Sequence, residues 1–246
     1  MPIGINNQAR RRRARDRSSV QGPDAIFATD LKLWLPVNAD SVTEAGTGAS
    51  QWDDQSGNGH SLVQGTDANR PTYAASDSDF NGHGSLTFNG TSDRLIDASA
   101  AIATGGTYVW WAVIKLTTAD ANPRWLMETQ TGRLALASWT GTKWGTFVAA
   151  FSPWASSSPD TTAKALVVVF DGSGGTARLY EGGNDRGTIA YLALNISGAF
   201  GVGANYVGTA NYYSGKIAEL GIAADITAAN ITALRAYLTA TYGVAA

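Results

Sequence analysis

Ile217-Ala218-Glu219-Leu220-Gly221-Ile222-Ala223, followed by Thr227-Ala228-Ala229-Asn230-Ile231 and ending in Tyr237-Leu238-Thr239-Ala240-Thr241-Tyr242-Gly243, reads as a closing strand that runs into a short helix. The first seven residues read as a strand, and Ala165 to Phe170 earlier in the chain is a nearly continuous apolar run, as expected of a strand covered on both faces. Ile231, Leu234 and Leu238 then repeat at three and four, which makes one apolar helical stripe. Thr227 stands where an N-cap belongs, and Gly243 where a glycine would end the helix in the left-handed region. The spacing predicts a helix lying over one end of a β-sandwich, with Arg235 on its solvated side.

Working outward, Leu31-Lys32-Leu33-Trp34-Leu35 alternates with period two and puts the three leucines on one face and Trp34 on the other. Residues 40–59 read as a long loop closed by Ser56-Gly57-Asn58-Gly59, whose glycines supply positive φ. Strands are predicted at 85–88, 94–97, 108–116, 124–128, 133–138, 144–150, 165–170, 177–181, 200–204 and 216–223. Turns fall at Asn89-Gly90, Thr131-Gly132 and Asp171 to Gly175. About twelve strands suit two packed antiparallel sheets of about six. No repeat of fixed period appears, which argues against a propeller or solenoid.

Trp52-Asp53-Asp54-Gln55-Ser56-Gly57-Asn58-Gly59, Leu86-Thr87-Phe88-Asn89-Gly90, the Ile217-Ala218-Glu219 strand and the terminal Tyr242-Gly243 occur in this order between Leu31 and Gly243. In this the chain resembles the concanavalin A-like lectin/glucanase jelly roll of the laminin-G type. The resemblance implies an all-β, two-sheet antiparallel jelly-roll sandwich with a short C-terminal helix and an extended N-terminal arm. Residues 1–25 are then arm and linker, and residues 26–246 the jelly-roll domain. The family includes lectins, adhesion modules, appendages of hydrolases and virion proteins, so function has to be argued from a site.

Composition narrows the classes. The 246 residues contain no cysteine, which excludes disulfides, a thiol nucleophile and thiolate metal ligands. No apolar run approaches the ~18 residues of a membrane span, and no apolar segment follows the N-terminal arginines as a signal peptide requires. Charge is strongly asymmetric. Residues 1–20 carry Arg10, Arg11, Arg12, Arg13, Arg15 and Arg17 against Asp16 alone, a net of +5, and with −2 overall the remaining residues carry −7. Such an arm reads either as an anchor for a negatively charged partner or as a solvated tail.

Catalytic signals are sparse. Glycosidases on this jelly roll use an E-x-D-x-E strand, because one acid protonates the leaving oxygen while another attacks or activates water. The only glutamates are Glu44, Glu128, Glu181 and Glu219, no two within ten residues of each other. Glu128 is the nearest candidate, and with no partner beside it the chain is expected not to be an enzyme. His60 and His83 both sit beside glycines in turns, with no G-x-S-x-G elbow to supply a serine. Asp53, Asp54, Ser56 and Asn58 crowd oxygen ligands, which suits either Ca²⁺ at Asp53, Asp54 and Asn58 or a loop whose side chains satisfy turn amides.

Of eight tryptophans, Trp34, Trp52, Trp110 and Trp111 fall in or beside predicted strands. Trp139, Trp144 and Trp154 flank Gly141, Pro153 and serine- or threonine-rich runs, and are expected on exposed loops. There they would either stack on sugar rings or plug the ends of the sandwich. The resemblance and the arm together imply a non-enzymatic structural or appendage protein of a tailed phage or phage-like virion, made in the host cytoplasm. Its arm would dock on capsid or tail proteins, and its lectin-like domain, in a homo-oligomer of closed symmetry, would decorate the particle and adhere to host surface glycan. The alternatives are a polysaccharide-degrading enzyme and a bacterial polysaccharide-binding adhesion module.

Overall fold

In a computed structural model of the chain, which describes residues 20–102, 105–119, 122–130, 135–139, 142–147, 150–191 and 196–246, Ser214–Ala223 is the hub of an antiparallel sheet of eight strands. One of its edges pairs with Tyr108–Leu116. The other pairs first with Ser85–Asn89 and then with Leu31–Pro36, so the first and last predicted strands meet. Lys164–Asp171, Thr176–Glu181 and Asn184–Ala190 continue the sheet beyond Tyr108–Leu116, and Thr72–Ala74 closes its other edge. A second sheet of nine strands runs in the order Phe151–Pro153, Lys143–Phe147, Ala135–Trp139, Arg124–Thr129, Phe200–Val202, Leu95–Asp97, Leu62–Val63, Gly48–Trp52 and Val42–Ala45. Ala101–Ile102 and Ile196–Ser197 form a small separate pair.

Period-two alternation explains the packing. Tyr108, Trp110, Ala112, Ile114 and Leu116 point into the core between the sheets, while Val109, Trp111 and Val113 point to the far side of the eight-stranded sheet. Leu166, Val168 and Phe170 divide from Ala165 and Val167 in the same way. These runs are apolar throughout because both faces are covered. The far side is roofed by the helix Ala228–Tyr242, which buries Ile231, Leu234, Tyr237, Leu238 and Tyr242, and by the short helix Pro23–Phe27, whose Phe27 stacks on Trp111 with ring centroids 5.6 Å apart.

The C-terminal helix therefore covers a sheet face rather than an end of the sandwich, because Val109, Trp111, Val113, Ala165 and Val167 would otherwise lie in water. Arg235 is not simply solvated: its guanidinium lies 4.4 Å from the centre of the Tyr180 ring. Thr227 occupies the N-cap without a capping hydrogen bond. Asp225 takes over that task, accepting from Thr227 N at 2.7 Å and from Asn230 Nδ2 at 2.6 Å. Gly243 ends the helix at φ 67° as the sequence predicts, and Asn81 Nδ2 donates to Thr241 O in the last turn. Within 40–59, the stretch read as loop, Val42–Ala45 and Gly48–Trp52 form a hairpin, turning at Gly46 with φ 60°. Within residues 20–25, Val20 lies against the helix layer and Pro23 is buried, while Gln21, Asp24 and Ala25 are exposed.

One polar group sits inside the helix layer. The ladder register shifts between Ile217 and Glu219, a β-bulge that breaks the alternation and sets Glu219 opposite Val113, on the helix-covered face. Fully buried there, its carboxyl accepts from Trp111 Nε1, Tyr237 OH and Tyr242 OH, each at 2.7 Å. Trp34 Nε1, buried without a partner of normal hydrogen-bond geometry, adds a smaller pull. Burial pushes the carboxyl above its ordinary value of 4.5, and the hydrogen bonds from Tyr242, Tyr237 and Trp111 only partly offset it.

Because the folded chain binds this proton more tightly than the unfolded one, the stabilisation from Glu219 is complete below pH 4.5 and declines as pH rises through the raised value. Chemical denaturation across this range is expected to show Glu219→Gln gaining on the wild-type chain as pH rises. Glu219→Ala, which strands three buried donors, should cost about 3 kcal/mol below pH 4.5, and the cost should shrink as pH rises and the wild-type chain loses its own stabilisation.

Candidate functional site

With one face of each sheet in the shared core and the eight-stranded sheet roofed by helices, no helix among the described residues covers the outer face of the nine-stranded sheet. A single register row crosses it: Thr43, Gln51, Val63, Ile96, Gly201, Glu128, Ala135, Phe147 and Phe151 lie opposite one another across all nine strands. The neighbouring row holds Trp125, Ala137, Gly145 and Pro153. A register shift between Trp125 and Met127 turns both Leu126 and Met127 into the core, which leaves Trp125 and Glu128 on the same outer side.

Small residues build a floor and rings stand on it. Trp125, Ala135 and Ala137 form a separate apolar cluster, against which the half-buried Phe147 and Phe151 pack. The Trp125 and Phe147 rings are 5.4 Å apart, tilted at 41°. Gly145 cannot be larger, since a Cβ there would meet the Phe151 ring at 2.4 Å. Trp125 is 2% exposed and its indole N–H is buried with no hydrogen-bond partner among the described residues.

Glu128 lies beside the rings, fully buried, and its Oε2 accepts from Tyr206 N at 2.8 Å. That bond fastens a loop over the open face. Within the loop, Asn205 Oδ1 accepts from Thr209 N and Ala210 N, and Tyr212 OH donates to Gly208 O. A Cβ at Gly201 would come within 3.1 Å of the Tyr206 backbone, so glycine there lets the loop approach the strand. Among the described residues, the two large apolar side chains that are most exposed, Val207 at 51% and Val63 at 49%, lie in this loop and on this face. The site thus offers the half-buried Phe147 and Phe151 rings, with a buried indole and a buried carboxyl beneath them. Such a surface can stack on a ring with an apolar face and hydrogen-bond its hydroxyls.

Two of the predicted tryptophans, Trp144 and Trp154, are elsewhere, and their expected exposure is corrected. Trp144 and Trp154 are 0% and 1% exposed and belong to the core between the sheets. Trp144 Nε1 donates to Glu181 Oε1 at 3.0 Å, and Trp154 Nε1 to Ala177 O at 3.1 Å. Glu181, itself fully buried, is also held by Arg186 at 2.9 Å, Lys164 at 3.4 Å and Ser158 N at 2.9 Å, so its charge is compensated. Trp139 ends a strand opposite Lys143, and its side chain lies outside the described residues, as do Arg10, Arg11, Arg12, Arg13, Arg15 and Arg17.

In the acidic loop, Asp54 accepts from Trp34 N and Ser56 N through one oxygen and from Ser56 Oγ and His60 N through the other. Asn58 Nδ2 donates to Leu31 O, and Asp53 accepts from Gln51 and Ser61. These side chains tie the loop to the first strand. Among the described residues, no group of three or more His, Asp or Glu side chains converges as a metal site would need, and no helix is long and apolar enough to cross a membrane.

No protein-family model and no curated protein matches the chain. Solved structures do. Trypanosoma rangeli sialidase in complex with sialic acid superposes with a TM-score of 0.60 at 13% identity, over 87% of this chain and 34% of that one. A mutant of the same sialidase displaying trans-sialidase activity gives 0.54 at 12% identity, over 89% and 35%. Domain 4 of AbnA, a GH43 extracellular arabinanase from Geobacillus stearothermophilus, in complex with arabinotriose, gives 0.56 at 16% identity, over 83% and 98%. The fold is a jelly-roll β-sandwich related to the concanavalin A-like lectin/glucanase fold. The chain spans about a third of the length of the sialidases it matches.

These likenesses overturn the expectation that the chain is not an enzyme. Sialidase and arabinanase chains contain this fold, so the missing E-x-D-x-E strand does not set the chain apart from glycosidases. Carboxyls can also meet from separate strands, which spacing along one strand does not reveal.

Since Trp144 and Trp154 fill the core, Trp144→Ala and Trp154→Ala should each cost roughly 3–5 kcal/mol in urea denaturation. A loss below about 1 kcal/mol would place them at the surface.

Proposed function

We propose that the chain is a carbohydrate-binding β-sandwich that takes a glycan across the open face of its nine-stranded sheet. The observation that carries this reading is the cluster of Trp125, Phe147 and Phe151 around Glu128 on the face that the helices leave uncovered. Sugar rings present apolar C–H faces that stack on aromatic rings such as the half-buried Phe147 and Phe151. Support of a coarser kind comes from domain 4 of AbnA, solved with arabinotriose and matched over nearly its full length.

A hydrolytic form of the same reading has one specific observation behind it. Glu128 is a fully buried carboxyl on the sugar-facing side, and hydrolysis would require a second one near it. Reducing-sugar release that disappears in Glu128→Gln while the fold persists supports it. Release unchanged by that substitution removes Glu128 from the chemistry.

The finer proposal, a domain displayed on a phage or phage-like virion and anchored to capsid or tail proteins, draws on the +5 charge of residues 1–20 and on the sequence resemblance. A chain lacking residues 1–19 should fold normally yet fail to join its particle, and attachment of the full chain should weaken with salt. Wild-type occupancy of the truncated chain would remove the anchor.

For the face itself, Phe147→Ala and Phe151→Ala should each weaken oligosaccharide binding by about 1–2 kcal/mol, the range of an aromatic anchor. Calorimetry beside thermal melts checks this, and unchanged affinity in both variants would reject the face.

A further inference from the structure

On the opposite side of the molecule, a pocket of about 360 Å³ opens between the start of the helix Ala228–Tyr242 and the outer face of the strands Lys164–Asp171, Thr176–Glu181 and Asn184–Ala190. That volume lies in the range of small-ligand sites. Val169 and Ile231 supply apolar wall, Thr188 a hydroxyl, and Tyr180, Arg178 and Arg235 the remainder.

The two arginines differ. Arg178 is paired with Asp185 at 3.3 Å, both side chains about half exposed. Arg235 has no carboxylate partner among the described residues. Its Nη2 donates to Gly183 O at 3.1 Å, its guanidinium stacks on Tyr180, and its Nε–H is buried without a partner. Asp171, the acid on the wall, is already engaged by Ser173 Oγ and Gly174 N in its own turn. A cation held in one orientation by a ring and a carbonyl, with no carboxylate answering its charge among the described residues, is preorganised for a planar anion.

We propose that this pocket is a second binding site, for a hydroxylated carboxylate of the size of an acidic monosaccharide, with Arg235 taking the carboxylate. The apolar wall of Val169 and Ile231 meets the C–H face of such a ring, and Thr188 and Arg178 meet its hydroxyls. A bare inorganic anion would leave that wall uncovered, and a neutral sugar would leave Arg235 unanswered. The site is separate from the open face, so either can fail without the other.

The test is calorimetry and amide-shift titration of the full chain with glucuronate, glucose and inorganic phosphate. Glucuronate should bind saturably and shift the Tyr180, Thr188 and Arg235 amides, with glucose and phosphate at least about tenfold weaker, the scale of one charge-assisted bond. Arg235→Gln should lose about tenfold in glucuronate affinity, with Arg235→Lys between it and wild type. Thr188→Tyr, at an exposed strand position, should block the pocket without changing charge, and it carries the test if Arg235→Gln does not fold. Binding of a neutral oligosaccharide on the open face should be unaffected by either variant. The proposal is overturned by glucose or phosphate binding as well as glucuronate, by wild-type glucuronate affinity in Thr188→Tyr, or by no saturable glucuronate binding.

Discussion

The carboxyl of Glu219, buried between a sheet and a helix, organises the molecule. Its bonds to Tyr237 and Tyr242 join strand and helix, and its bond to Trp111 joins neighbouring strands of the same sheet. Burying a carboxyl is costly unless its lone pairs are met, and here three donors at 2.7 Å meet them. The bulge beside Ala218 is what aims it. Strict alternation from Ile217 would have sent Glu219 into the apolar core between the sheets, where Trp110 and Leu220 pack. The Ile-Ala-Glu strand and the Tyr-Gly that ends the helix therefore belong to one polar contact made across 23 residues.

The proposed ligand face follows from that contact by exclusion. Once the helix is fastened over the eight-stranded sheet, the face of the nine-stranded sheet is the one that no helix among the described residues covers. Its chemistry follows from residue size: Ala135, Ala137 and Gly145 leave room beside Trp125, Phe147 and Phe151, and the Phe151 ring comes close over Gly145. Glu128 then pins the 205–210 loop beside the rings, so the face is bordered instead of flat. A second bulge, at Leu126, brings the tryptophan and the carboxyl to the same side. Each functional element of this protein thus depends on a departure from alternation.

Those departures also mark where sequence reading succeeded and where it did not. Tyr108–Leu116 was legible to the residue, because a run apolar but for Lys115 and rich in aromatic and β-branched residues reads as a strand. The helix and its Gly243 cap were legible from spacing alone. The hairpin Val42–Ala45 with Gly48–Trp52 was not, since Glu44, Gly46, Gly48 and Gln51 read as loop composition, and only pairing within the nine-stranded sheet makes them strand. Trp144 and Trp154 looked exposed because their neighbours are glycine, proline and serine. Their burial comes from Glu181, which lies 37 residues beyond Trp144, and from the carbonyl of Ala177. The aromatic site itself was hidden because Phe147 and Phe151 are distant from Trp125 along the chain and meet it only through strand order. The small residues of Ala135-x-Ala137, on a predicted strand, were the signal that something large lies above them.

The most direct test of the account is amide chemical-shift mapping of the full chain titrated with neutral oligosaccharides, arabinotriose among them. Shifts should gather on Trp125, Glu128, Phe147, Phe151 and Tyr206 and leave Ile231, Tyr237 and Tyr242 unmoved. Shifts confined to the helix-covered side, or no shift with any neutral oligosaccharide, would contradict it.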